Sequence, residues 1–272
     1  MPGPLIRIFS DVHYGDRSSR VRRLAQLRPL LDGVTHVVFN GDTLDTRPSP
    51  RPEYTVQLLA ELRAWITRSG LPTTLLTGNH DPEISPDHTL ELAAARVFVT
   101  HGDVIFDNIV PWGRDAATIS KLLTAGLAHL PPSARDRLED RMALWRRVCA
   151  QIPQRHQSEP HGLKYALHFA ADTVWPPLRI FRILHAWHHA PALAAALTRR
   201  HRPQAKFVIL GHTHRPGVWR TRSDVIVINT GSFCPPVGGH CVDVTPDRVI
   251  VRRIAARGGE FSPGASVAEF AL

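Results

Sequence analysis

Leu5-Ile6-Arg7-Ile8-Phe9-Ser10-Asp11-Val12-His13 is the stretch on which the fold turns. A short apolar run rich in β-branched residues ends abruptly in a carboxylate and an imidazole. The same event recurs four times. His36–Asn40 runs into Gly41-Asp42-Thr43-Leu44-Asp45, and Thr73–Thr77 into Gly78-Asn79-His80-Asp81. Arg96–Thr100 runs into His101-Gly102-Asp103, and Lys206–Leu210 into Gly211-His212-Thr213-His214. Continuous apolarity, as in Val37-Val38-Phe39, predicts strands covered on both faces. Between the strands, Arg20–Leu31 and Tyr54–Arg68 carry apolar residues at helical spacing, with Leu58, Leu62, Trp65 and Ile66 on the second. Strand–helix alternation makes this an α/β chain with parallel strands. In such sheets the carboxyl ends of the strands line the ligand crevice, so all five polar clusters are expected at one edge.

Outward from these strands the pattern changes. From Trp112 to Lys206 there are 15 Lys and Arg against 6 Asp and Glu, which accounts for the whole net charge of +9. This stretch is rich in Ala, Leu, Arg and His, is punctuated by Pro, and predicts a helical insertion. The expected organisation is a core of residues 1–111 and 206–257, a helical cap over 112–205, and a loosely ordered tail over 258–272. Strands Val225–Asn229, His240–Val244 and Arg248–Ile254 are spaced as in an antiparallel meander. With 272 residues, 43% of them hydrophobic, the chain excludes global disorder, and no apolar run approaches the ~18 residues that span a bilayer. The N-terminus has no secretory pattern, and Cys149, Cys234 and Cys241 have no CxxC spacing, so a cytoplasmic chain with reduced thiols is expected.

Carboxylate oxygen, imidazole nitrogen and amide oxygen together suit borderline divalent cations such as Mn²⁺, Fe²⁺ or Zn²⁺. Asp11/His13 and His212/His214 are spaced so that alternate side chains of an extended chain face one side. Glycines beside Asp42, Asn79, His101 and His212 allow close backbone approach to an ion. No thiolate belongs to this donor set, which argues against a structural zinc site. The eight histidines of the insertion, from His129 to His201, are given no metal role.

In the order DxH, GDxxD, GNHD, H and GHxH, these motifs resemble the calcineurin-like metallophosphoesterases over roughly Ile6–Asp107 and Lys206–Ser232. The resemblance implies two β-sheets flanked by helices, a four-layer α-β-β-α sandwich with two divalent ions at the strand ends. Asp11, His13 and His214 would hold the first ion, Asn79, His101 and His212 the second, and Asp42 would bridge both. His80 would stand near the leaving group, protonating or stabilising the departing oxygen. Asp45 and Asp81 read as partners that orient histidine ligands or loop amides. Two ions ~3.5–4 Å apart clamp a phosphoryl group and acidify a water for in-line attack. Manganese is the first expectation, with iron or zinc as alternatives.

The insertion is the natural place for substrate selection. Arg114 follows His101 closely enough to reach a phosphate, and Trp175–Trp187 interleaves large apolar with cationic residues. A lid helix packed on its own domain is the plain reading; an interfacial helix or acyl-chain groove is the functional one. The lidded layout and the string GHTHRP resemble bacterial UDP-2,3-diacylglucosamine pyrophosphatases, which carry Arg where this chain has His80. The expected activity is hydrolysis of a phosphodiester or pyrophosphate in a small or lipid-linked substrate, with peripheral contact at the inner membrane face through the cap. The alternatives are a nucleic-acid phosphoesterase, suggested by the arginines, and a non-catalytic metal-binding scaffold.

Overall fold

Strands that are apolar on both faces need a covering layer on each side, and the chain supplies both. The computed structural model describes residues 3–154 and 178–272. His156, His161, His168 and Trp175–Pro177 lie outside the described residues.

The first sheet is built around β1 (Ile6–Phe9). It pairs in parallel with β2 (His36–Asn40), which pairs in parallel with β3 (Thr73–Leu76). The second sheet contains β4 (Thr89–Leu92), β5 (Val97–Thr100), β6 (Phe207–Leu210), β7 (Gly217–Arg220) and β8 (Ile226–Asn229) in the order β4-β5-β6-β8-β7. Here β5, β6 and β8 run parallel, and β4 and β7 close the edges antiparallel. The chain then returns to the first sheet. β9 (His240–Val244) pairs antiparallel with β1, followed by β10 (Arg248–Arg257) and β11 (Glu260–Ala271).

Successive side chains on each strand serve different layers. Ile8, Val38 and Leu76 of the first sheet meet Val97, Val99, Ile209 and Ile228 of the second in one buried cluster. Phe9, Val37 and Phe39 point the other way, into Leu27, Leu30, Leu58 and Leu62. Those residues belong to a 3-10 helix (Leu24–Leu31) and to α1 (Pro52–Ser69). On the far side, Phe98, Val208 and Val227 pack against α2 (Ala116–His129), α4 (Leu138–Cys149) and α5 (Leu178–His201), with the single turn α3 (Pro132–Arg135) between α2 and α4. The layers are therefore helix, sheet, sheet, helix: the expected α-β-β-α sandwich. The described helices of the 112–205 segment form its second outer layer. None of the described helices is long and apolar enough to cross a membrane.

Three local expectations need correction. Pro29, with no N–H to donate, lies inside the first helical stretch, which is 3-10 rather than α and starts at Leu24. The strands after Lys206 do not form one meander: β6 and β8 pair in parallel, and β9 and β10 sit in the other sheet. The tail is not loose. It is β11, hydrogen-bonded along β10, with Phe261 buried against Phe233 at 5.1 Å between ring centroids. Pro263 is tolerated because β11 is an edge strand with register shifts.

Candidate metal centre

The ends of β1, β2, β3, β5 and β6 deliver the seven expected donors to one edge, and the backbone there is unusual. Asp11 (φ 52°), His13 (φ 48°), Asp42 (φ 52°), His212 (φ 68°) and His214 (φ 56°) all occupy the left-handed region. The loops interlock through the main chain: Asp11 N donates to Gly41 O at 3.0 Å and His13 N to Asp42 O at 2.9 Å. Gly78 and Gly211 permit this crowding, since a Cβ on either would collide with the Asp42 or the Asp11 carboxylate.

Two donor groups form around Asp42. On one side Asp42, His101 and His212 bring one ligand atom each within 4.8 Å of one another; on the other, Asp11, His13 and Asp42 do the same. His214 Nε2 lies 3.1 Å from Asp11 Oδ1 and 3.2 Å from His13 Nε2. Asn79 Oδ1 joins the first group, 2.7 Å from His212 Nδ1 and 3.3 Å from His101 Nε2. All except His214 are buried.

The tautomers show what this arrangement suits. His101 Nδ1–H donates to Asn40 O at 3.0 Å, and His212 Nε2–H donates to Ile109 O at 2.8 Å. In its neutral form each ring has then used its only N–H, as metal-ligating histidines do. The remaining lone pair of His101 faces Asp42 Oδ2 at 3.3 Å and Asn79 Oδ1; that of His212 also faces Asn79 Oδ1. Acceptors converging on acceptors fit a divalent cation. The carboxylates favour positive charge at this point. Burial opposes it, yet Asp42 and Asp11 outweigh burial and raise the His101 pKa well above the ordinary histidine value. Burial likewise opposes ionisation of Asp42, yet His101 and His80 in turn hold its carboxyl well below the usual carboxylate range. Burial holds His13 down at about 4 and His212 at about 3, keeping both as neutral donors.

Supporting residues surround this set. Asp81 receives four backbone N–H groups, from Asp42 (2.9 Å) and Gly78 (2.7 Å) on one oxygen and Thr43 (2.6 Å) and Leu44 (3.3 Å) on the other. Burial and the neighbouring Asp42 charge nevertheless push its carboxyl up to about 7. Asp45 Oδ2 lies 3.1 Å from His80 Nδ1, and the His80 ring stands edge-on to His13 at 5.0 Å. Arg114 is exposed and lies toward α5, where burial and then its charge lower the Arg179 pKa.

Three contributors escaped the sequence reading, Arg47, Gln154 and Cys234, and two more, Trp187 and Arg215, stood in stretches it quoted without a role at the metal edge. Arg47 makes a two-point contact with Asp45 (2.9 and 2.6 Å) and approaches His80 Nδ1 at 2.8 Å. Gln154, beyond α4, donates to the carbonyls of Asp45 (2.7 Å) and Arg47 (2.9 Å). From α5, Trp187 donates to Thr213 O, while Arg215 donates back to Trp187 O at 2.9 Å and lies over the Trp187 and Trp219 rings. Cys234, in the loop after β8, brings its sulfur within 4.8 Å of ligand nitrogens of both His13 and His214. Arg47 and Arg215 carried a sequence signal, lying two residues after Asp45 and one after His214; Gln154, Trp187 and Cys234 meet the site only through tertiary packing.

Among solved structures the chain is similar to a dimetal phosphatase from Danio rerio, at 14% identity and a TM-score of 0.49, the match covering 100% of this chain and 99% of that one. It is also similar to vacuolar protein sorting 29 from Cryptosporidium parvum, at 13% identity and a TM-score of 0.43, covering 100% of both chains. No curated protein matches the chain in sequence. The family profile for calcineurin-like phosphoesterases matches residues 5–216, a span that contains all seven expected donors. The chain therefore belongs to the calcineurin-like phosphoesterase family.

Proposed function

We propose that this protein is a two-metal hydrolase that cleaves a phosphodiester or pyrophosphate bond in a small or lipid-linked nucleotide-sugar substrate. One observation carries the reading: the lone pairs of His101 and His212 converge, with Asp42 and Asn79, on space that only a cation or a proton can satisfy. Divalent cations, manganese first, would neutralise phosphoryl charge and lower the pKa of a water nucleophile. Asp42 separates the two donor groups and contributes to both, which fits a bridging role.

His80 is the residue suited to the leaving oxygen. Burial and Arg47 oppose its protonation, but Asp42 and Asp45 outweigh them and raise its pKa above the ordinary histidine value. It therefore holds its proton to higher pH than a free imidazole and can donate it as the phosphorus–oxygen bond breaks. Asp45, itself held low by Arg47 and His80 against burial, fixes the ring.

The lipid-linked part of the reading draws support from α5. Leu178, Ile180, Phe181 and Leu184 are exposed beside Arg179 and Arg182, and the helix has no acidic residue. Such a face suits acyl chains and phosphates at the inner membrane surface of the cytoplasm. Purified protein loaded with Mn²⁺ should hydrolyse bis-p-nitrophenyl phosphate, and Asp42→Ala or His101→Ala should abolish turnover. Inactivity of the wild type with manganese, iron and zinc alike, or full activity of either variant, would refute the proposal.

A further inference from the structure

We infer that Cys234 is a ligand of the cation held by Asp11, His13 and His214, giving that position a sulfur donor. The inference rests on the metal-centre reading above and adds a residue that the donor motifs do not contain.

The placement begins in the backbone. After β8 the chain turns back along the site edge, and Phe233 N donates to Asp11 O at 3.1 Å while Phe233 O accepts from Arg20 N at 3.1 Å. The Phe233 ring packs between Phe9 at 5.8 Å and Phe261 at 5.1 Å. Cys234 N donates to Ser232 Oγ at 3.2 Å. Residue 234 is thus fixed relative to Asp11 from both sides.

The side chains then converge. Sγ of Cys234 and one ring nitrogen each of His13 and His214 lie within 4.8 Å of one another. The two Nε2 atoms are 3.2 Å apart, against the ~3.3 Å between two nitrogen donors on one tetrahedral ion with metal–nitrogen bonds of about 2.0–2.1 Å. Two imidazole nitrogens at that separation beside Asp11 Oδ1 already outline an ion position without the sulfur. A metal–sulfur bond of about 2.3 Å asks for a nitrogen–sulfur distance of ~3.6 Å, and coordination draws Sγ inward from within the 4.8 Å that the three atoms span. Ser18 Oγ at 3.5 Å is a weak competing partner for the buried thiol. On coordination the sulfur–metal bond forms as the S–H proton leaves to solvent, with no change of oxidation state.

Cobalt(II) loading of the full-length protein tests this directly. Thiolate coordination adds a near-ultraviolet sulfur-to-cobalt charge-transfer band to the visible d–d bands. The wild type, Cys149→Ser and Cys241→Ser should show both, whereas Cys234→Ser and Cys234→Ala should keep the d–d bands and lose the charge-transfer band. Should either Cys234 variant fail to fold, the wild-type spectrum decides together with the two control variants. Visible bands without charge transfer in the wild type overturn the Cys234 assignment and leave the metal centre standing. Loss of both sets of bands in the wild type overturns the metal-centre reading and the sulfur ligand with it.

Discussion

Trp187 Nε1 donates a 2.8 Å hydrogen bond to the carbonyl oxygen of Thr213, the residue between His212 and His214. A helix from the basic insertion thus holds the main chain of a metal-ligand loop, and Arg215 returns the contact to Trp187 O. Trp187→Phe keeps a ring against Arg215 and removes the donor. It should cost about 1 kcal/mol of stability and weaken Mn²⁺ binding ~10-fold, as loss of a partner behind the ligands does. Calorimetric titration with Mn²⁺ reads the second effect; unchanged affinity would show that the contact only packs the helix.

His80 sits between opposing charges, and its titration should follow them. If it donates the proton to the leaving group, kcat/KM falls on the alkaline side as the ring deprotonates, above the ordinary value of about 6.5. Asp45→Asn removes a group that raises the His80 pKa, so that limb should move to lower pH. Arg47→Met removes a cation that lowers it, so the limb should move to higher pH. A pH–rate series on the three proteins checks both directions.

Asp81 ties the loops carrying Asp42 and Asn79. Asp81→Asn would turn an NH₂ toward two N–H donors whichever way the amide lies, which should destabilise the protein by about 2 kcal/mol. The sign of its pH effect also follows. A carboxyl raised to about 7 binds protons in the folded state that the unfolded state has already released. Its contribution is present below about 3.9, the unfolded value, and is lost as pH rises to about 7. Urea denaturation of chelator-treated protein across that window should show stability falling with pH in the wild type and a flatter response in Asp81→Asn.

The C-terminal strand reaches the site loop through aromatic contact. Phe261 packs on Phe233, one residue before Cys234, so Phe261→Ala should cost about 3 kcal/mol in a denaturant titration. An effect below about 0.5 kcal/mol would mean that β11 contributes little to this core.

The strand ends were legible because an apolar run that stops at a carboxylate or imidazole is a local pattern. β4 and β7 were not: Thr89–Leu92 and Gly217–Arg220 are four residues each, too short for a period to stand out, although Leu90, Leu92 and Val218 pack against the inter-sheet core. β11 was misread because Gly264 and Pro263 signal irregular chain, and only pairing with β10 overrides them. Asp11, Asp42 and His212 could be grouped from motif order. Cys234 and Gln154 could not, because no spacing along the chain announces that a lone thiol or amide will arrive beside residues far away in sequence.

The left-handed backbone at Asp11, His13, Asp42, His212 and His214 restricts these positions twice over. Asp, Asn and His are the non-glycine residues that visit that conformation most readily. They are also the short side chains that offer oxygen and nitrogen to an ion. A swap that respects charge but not torsion, such as Asp42→Glu, would be penalised by geometry before any chemistry is attempted. At this edge the main chain itself proofreads the alphabet of acceptable replacements.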